Sequence, residues 1–192
     1  VALTLLEITG VALGLASTIL LIRRHIGCWP TGILTVIALG IVFFEAKLYS
    51  AVLLQIAFLV LQIQGWITWA QKKRTDEEDG LQRLTPFLIT SIVTILFSVT
   101  VALGYAMKTY SDAALPYWDA FCMVLYLIGQ WLVIHKVVEC WYFWGLANVI
   151  TTFVYASQGL YFVALLHLAY IGISLSGLIS WNKSYQEAEF LA

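Results

Sequence analysis

Long apolar stretches broken by short polar ones run through most of this chain, and the spacing of the breaks predicts seven helical spans. A helix crosses the hydrocarbon core of a bilayer in about 20 residues, and shorter or tilted spans occur. Residues 2–22 meet that length and end at Arg23, Arg24 and His25. Beyond Trp29-Pro30 a shorter run, 32–44, stops near Glu45 and Lys47. Residues 49–69 follow, with Gln55, Gln62 and Gln64 as the strongly polar positions. Charge then concentrates in 71–83, which reads as a soluble linker. Pro86 opens a fourth span that runs to about Met107, and 108–116 reads as a polar loop. The runs 117–133, 141–156 and 160–181 complete the set, and the polar tail from Asn182 is expected to fray.

Composition makes lipid the solvent. The 192 residues are 61% hydrophobic and 11% charged, with a mean hydropathy of +0.89. An ordinary globular chain is roughly a quarter charged, and a domain this small could not hide so much apolar surface in a core. The net charge of −1 argues against a nucleic-acid partner, which favours a basic face. Three cysteines with no C-x-x-C pair read as small buried apolar residues, so neither a metal nor a disulfide framework is expected, nor a cofactor. With no basic segment ahead of a small-residue cleavage site, no signal peptide is expected. Seven spans put the two ends on opposite sides. Arg23, Arg24, Lys72, Lys73, Arg74, Arg83, Lys136 and Lys183 fall on one side, and only Lys47 and Lys108 on the other. The basic side is cytoplasmic by the positive-inside rule, so the N-terminus is predicted outside and the C-terminus inside.

The spans repeat. Shifting the chain by 112 positions sets Cys28-Trp29 on Cys140-Trp141, Leu48-Tyr49 on Leu160-Tyr161, Gly65 on Gly177 and Trp69 on Trp181. It also sets Glu7 on Asp119 and Arg24 on Lys136, with no gap needed from Glu7 to Trp69. Coincident Leu and Val mean little in membrane segments, but paired tryptophans do. Three spans followed by one more return the chain to its starting side, so the second triplet enters with the orientation of the first. The expected fold is all-α and integral to the membrane: seven transmembrane helices in a 3+1+3 plan of parallel repeats, a known transporter arrangement with its site near the midplane. The segments are 1–70 for the first triplet, 71–116 for the linker and linking helix, 117–182 for the second triplet and 183–192 for the tail.

Polar side chains within spans face the bundle interior and mark candidate function. Asp119, Cys122, Tyr126 and Gln130 share one face of the fifth span, and Trp141, Trp144 and Asn148 share one face of the sixth. Gln55 and Gln62 lie seven apart on the third span, and the shift sets them on His167 and Ser174 of the seventh. Asn148 sits in an apolar run where an unmatched amide costs a few kcal/mol, so it needs either another helix or a ligand. A flat aromatic ligand stacked on Trp144 and bonded to the amides would satisfy both groups. Simpler roles compete elsewhere. Glu7 and Asp119 lie near span ends, where an acid is readily hydrated. Trp29, Trp118, Trp69 and Trp181 fit an interfacial aromatic belt, Trp66 and Trp131 can face lipid or a neighbouring helix, and His25 and His135 fall in basic loops. His167 fits an interhelical hydrogen bond as well as a ligand, and Gly10-x-x-x-Gly14 fits helix contact within the protomer.

Cys28-Trp29-Pro30, Lys47-Leu48-Tyr49, Gly65-Trp66 with Trp69, Tyr117-Trp118-Asp119-Ala120, Trp141-x-x-Trp144-x-x-x-Asn148 and Gln158-Gly159-Leu160-Tyr161 together resemble the PnuC family of bacterial vitamin transporters. The resemblance spans nearly everything outside 71–83 and the fourth span. It implies a fold like that of the SWEET sugar transporters, a homotrimer in the inner membrane, and facilitated uptake of a vitamin. Nicotinamide riboside is the expected substrate, with thiamine or riboflavin as the alternatives. No coupling ion or ATPase is implied; a cytoplasmic kinase would trap the substrate by phosphorylation. Trp141, Trp144 and Asn148 match the family motif, while Gln55, Gln62, Tyr126, Gln130 and His167 come from the face pattern. An enzyme is not expected, since His167 has no second histidine within a turn and no H-E-x-x-H motif exists. A purely structural or sensory membrane protein would not need these amides and tryptophans on shared faces.

Overall fold

Proline and chain polarity punctuate the helices much as the apolar runs predict. The computed structural model describes residues 2–45, 49–74, 80–111, 115–157, 159 and 161–191. Lys47 and Leu48, Gln158 and Leu160, and parts of the linker (75–79) and of the loop ahead of the fifth span (112–114) lie outside the described residues. Seven helices are described: α1 (Ala2–Ile22), α2 (Cys28–Glu45), α3 (Tyr49–Arg74), α4 (Pro86–Tyr110), α5 (Pro116–Ile134), α6 (Cys140–Ser157) and α7 (Tyr161–Leu191). Both α4 and α5 open on a proline in the first turn, where the missing N–H has no intrahelical partner to lose. Thr85 caps α4 by accepting from the Leu88 N–H at 3.4 Å.

Six of these helices are long and apolar enough to cross a membrane, and α6 is the exception among the described residues. Its tryptophans, tyrosines, threonines and Asn148 lower its hydropathy, so the least lipid-like helix is also the one richest in candidate site residues. The chain is an all-helical multi-pass membrane protein.

The described chain divides into two compact units, 1–80 and 81–192. In the first, α2 contacts both α1 and α3. Gly10 of α1 meets Ala38 and Leu39 of α2, as a helix contact within the protomer requires. In the second, α4, α5, α6 and α7 follow one another in contact, and Leu96, Val124, Leu125 and Ala147 form a core between α4, α5 and α6.

The same devices recur in both units at positions 112 apart. α1 ends with the Arg24 N–H donating to the Leu21 carbonyl (2.8 Å) and the His25 N–H to that of Leu20 (2.9 Å). α5 ends with Lys136 donating to Val133 and Val137 to Leu132, both at 3.0 Å. This double bond pattern closes a helix through one left-handed residue; Arg24 (φ 54°) and Lys136 (φ 53°) take that role. A basic side chain there also suits the negative end of the helix dipole. In the first unit the Trp29 ring lies against the bare Cα of Gly65 and edge-on to Trp69 at 5.2 Å. In the second, Trp141 lies against Gly177 and edge-on to Trp181 at 5.4 Å.

Those contacts correct one expectation. Trp29, Trp69 and Trp181 do not form an interfacial belt: they are 1%, 3% and 0% exposed. Depth along a helix suggested the belt, but direction decides, and a glycine on the facing helix opens a slot that an indole fills. Trp118, Trp66 and Trp131 do face outward.

The linker and the tail also differ from expectation. α3 continues to Arg74 and α7 to Leu191. At about 1.5 Å per residue, the 31 residues of α7 run well past a hydrocarbon core about 30 Å thick. The turn just beyond Trp181 is fastened, whereas 186–191 are exposed. Arg83 donates to Glu139 Oε1 at 3.1 Å and to Asn182 Oδ1, and its guanidinium lies 5.1 Å from the centre of the Tyr185 ring. Leu84 N–H donates to Glu139 Oε2 at 3.2 Å, and Gln82 exchanges backbone bonds with Lys136 and Val138 at 3.0 Å. The segment entering α4 is thereby tied to the α5–α6 turn and to α7 at Asn182 and Tyr185.

Candidate functional site

The polar residues of the second unit converge where α5, α6 and α7 meet. Asn148 on α6 is 5% exposed. Its Oδ1 accepts from the Tyr126 hydroxyl of α5 at 2.9 Å and lies 2.8 Å from His167 Nδ1 of α7. Its Nδ2 donates to the carbonyl of Trp144, one turn earlier, at 2.8 Å. Tyr126 and His167 also approach each other, at 3.3 Å. The buried amide is therefore matched by helices on both sides, as an apolar setting demands.

Trp144 is held differently. Its indole N–H donates to the Tyr126 carbonyl at 3.2 Å, and its ring occupies the space that a Cβ at Gly129 would fill. It remains half-buried, with a T-shaped contact to Trp141 at 5.7 Å. Trp141 itself is 1% exposed, wedged between Gly177, Trp181 and Trp144, so it builds the wall rather than offering a face.

Gln130 lies buried one turn beyond Tyr126 on α5, and Cys122 one turn before it, its thiol 4.0 Å from the Ala147 carbonyl. Asp119 is half-buried in the first turn of α5 and Glu7 is exposed on α1. All three cysteines are buried. Gln55 and Gln62 belong to the first unit, both half-buried on α3; the Gln62 amide lies on the bare Cα of Gly32. Ser174 donates to the Tyr170 carbonyl at 2.9 Å.

Two residues that the face pattern left out flank the cluster. Tyr155 stacks on the His167 ring at 5.5 Å, and Tyr170 lies tilted to it at 6.3 Å. Tyr155 was within reach of the sequence, because it falls seven beyond Asn148 on the stripe of Trp141 and Trp144.

Shifted by 112, Tyr126, Trp144, Asn148 and His167 fall on Gly14, Gly32, Val36 and Gln55. The framework residues recur while the polar cluster does not. The hydrogen-bonded cluster of Tyr126, Asn148 and His167 lies on α5–α7. Among the described residues no group of three or more His, Cys, Asp or Glu is placed to hold a metal ion.

A multi-pass helical membrane protein with a buried aromatic and amide cluster among its described residues fits the class of small-molecule carriers. Comparison with known proteins supplies the family: residues 4–183 match the family described as nicotinamide mononucleotide transporter, and the chain belongs to it. It is therefore a PnuC-type membrane transporter, not an enzyme. It is 27% identical over 210 residues to the nicotinamide riboside transporter PnuC of Escherichia coli (strain K12), covering 96% of this chain and 88% of that protein. The riboflavin/roseoflavin transporter RibM of Streptomyces davaonensis is 23% identical over 181 residues, 91% of this chain and 83% of that one. The crystal structure of the vitamin B3 transporter PnuC superposes with a TM-score of 0.77 at 21% identity, over 96% of this chain and 83% of the other, and shares its fold.

Proposed function

We propose that this chain carries nicotinamide riboside into a bacterial cell by facilitated diffusion, with phosphorylation by a cytoplasmic kinase trapping the substrate. The carrying observation is the Trp144–Tyr126–Asn148–His167 cluster in a chain similar over nearly its whole length to a nicotinamide riboside transporter. Trp144 offers a ring to stack on, His167, Gln130 and Tyr126 offer hydrogen bonds, and Trp141 supports Trp144. Gln55 and Gln62 are assigned to binding on the sequence alone. Uncoupled carriage fits span interiors that hold no Lys or Arg, so no ion pair is built to be broken by a coupling ion. Exchange between outward-open and inward-open states would move the vitamin.

The same reading takes the seven helices as two parallel triplets joined by α4 in a SWEET-like plan, with the N-terminus outside and the C-terminus in the cytoplasm. Its supports are the 112-residue recurrence of Trp–Gly–Trp contacts and left-handed helix ends, and the distribution of Lys and Arg. A homotrimer follows from the family resemblance.

The likeness to RibM gives riboflavin standing as a second substrate, and thiamine is a third. Calorimetric titration of the purified protein with all three decides: the expected order places nicotinamide riboside first, and tight binding of either rival in its stead overturns the assignment.

A further inference from the structure

The backbone holds the amide of Asn148 in one orientation. Its Nδ2 donates to the Trp144 carbonyl at 2.8 Å, and a flipped amide would set two acceptor oxygens against each other at that distance. Oδ1 is therefore the atom that faces α5 and α7. An amide oxygen only accepts, so its 2.8 Å contact with His167 Nδ1 requires a hydrogen on that nitrogen. The Tyr126 hydroxyl uses its own hydrogen on the same Oδ1 at 2.9 Å, and its oxygen lies 3.3 Å from His167 Nδ1. Both acceptor sites of the amide oxygen are taken. Among the described residues no carboxylate bonds the imidazole, so nothing favours a second proton in so apolar a bundle. A neutral imidazole protonated at Nδ1 presents an acceptor lone pair at Nε2. No hydrogen bond of Nε2 is present among the described residues, and stacking on Tyr155 sets the plane of the ring.

Building on the cluster's role as the vitamin site, we infer that His167 Nε2 accepts a hydrogen bond from an uncharged N–H or O–H of the substrate. Asn148 is then a positioning residue that fixes the tautomer. A carboxylate at the same place meets a lone pair and is rejected. In nicotinamide riboside two donors qualify, the carboxamide N–H and a ribosyl hydroxyl.

The test uses the full chain in detergent, labelled with 15N at histidine, together with titrations of nicotinamide riboside and its carboxylate analogue, nicotinic acid riboside. The His167 signals are those lost in His167→Phe, which keeps an aromatic ring against Tyr155. They are expected to report Nδ1–H; an Nε2–H ring overturns the inference. Asn148→Leu removes the acceptor and lets the ring populate both tautomers, whereas Tyr126→Phe leaves Oδ1 to His167 alone and keeps the Nδ1–H form. Should the leucine variant fail to fold, Tyr126→Phe still decides, because loss of the Nδ1–H form there assigns the tautomer to the tyrosine and contradicts the positioning role of Asn148. His167→Phe is expected to weaken nicotinamide riboside about tenfold, the scale of one hydrogen bond to a buried group. If the carboxamide is the donor, the wild-type preference for amide over acid disappears in His167→Phe. If a hydroxyl is the donor, both compounds weaken equally. Unchanged affinity for both overturns the inference. A wild type that binds neither compound refutes the substrate reading instead, and the tautomer with its response at Asn148 then decides the positioning role.

Discussion

At the scale of single residues, a buried amide organises the second unit. Asn148 could have been matched by a ligand or by helices, and the sequence left both open. Its partners, Tyr126 and His167, lie 22 and 19 positions away on other helices, a pairing no helical periodicity reveals. Trp144 was legible from its motif, but not the glycine that admits it. Gly129 leaves the Tyr126 carbonyl and its own Cα open to the indole. Gly129→Ala is therefore expected to fold yet displace Trp144, weakening nicotinamide riboside about tenfold, since an aromatic contact contributes about 0.5–1.5 kcal/mol beyond its burial. Titration of the variant checks this, and wild-type affinity would remove Trp144 from the binding face.

At the scale of elements, glycine and tryptophan act as paired parts. Gly65 and Gly177 each receive an indole, and an added methyl at either would enter the ring of Trp29 or Trp141. Gly65→Ala and Gly177→Ala should each destabilise by about 1–3 kcal/mol, the usual cost of overfilling a close contact, seen as a lower melting temperature in detergent. The helix spans were largely legible because apolar length is a strong signal. The extension of α7 was not, because polar composition after Trp181 resembles a tail. Its helix persists because adding a turn is cheap once a helix exists, and because Arg83 holds Asn182 and Tyr185. Arg83→Ala is expected to lower stability by about 1–2 kcal/mol, since Glu139 and Asn182 both lose a charged donor in a partly buried site. Lys183→Ala, whose pair with Glu187 spans 3.9 Å in the open, should change it by less than about 0.5 kcal/mol. Equal effects in a melting comparison would contradict a role for the Arg83 tie.

At the scale of the whole molecule, the Trp–Gly–Trp contacts recur 112 positions apart and the polar cluster does not. Cys28, Trp29, Gly65 and Trp69 have their counterparts in Cys140, Trp141, Gly177 and Trp181, whereas Gly14, Gly32 and Val36 stand where the second unit has Tyr126, Trp144 and Asn148. The offset was visible in the sequence because tryptophans align rarely by chance. The confinement of the polar cluster to α5–α7 became visible only with the partners of Asn148 in place. On the proposed function, the chain carries nicotinamide riboside without an energy source. The most direct test of that function is counterflow: purified protein in liposomes preloaded with unlabelled nicotinamide riboside, given a trace of labelled compound outside. The expected result is transient, saturable accumulation of label that persists with proton and sodium ionophores and without ATP, and that is lost in Trp144→Ala. Absence of counterflow in the wild-type protein, or its collapse on adding an ionophore, would contradict it.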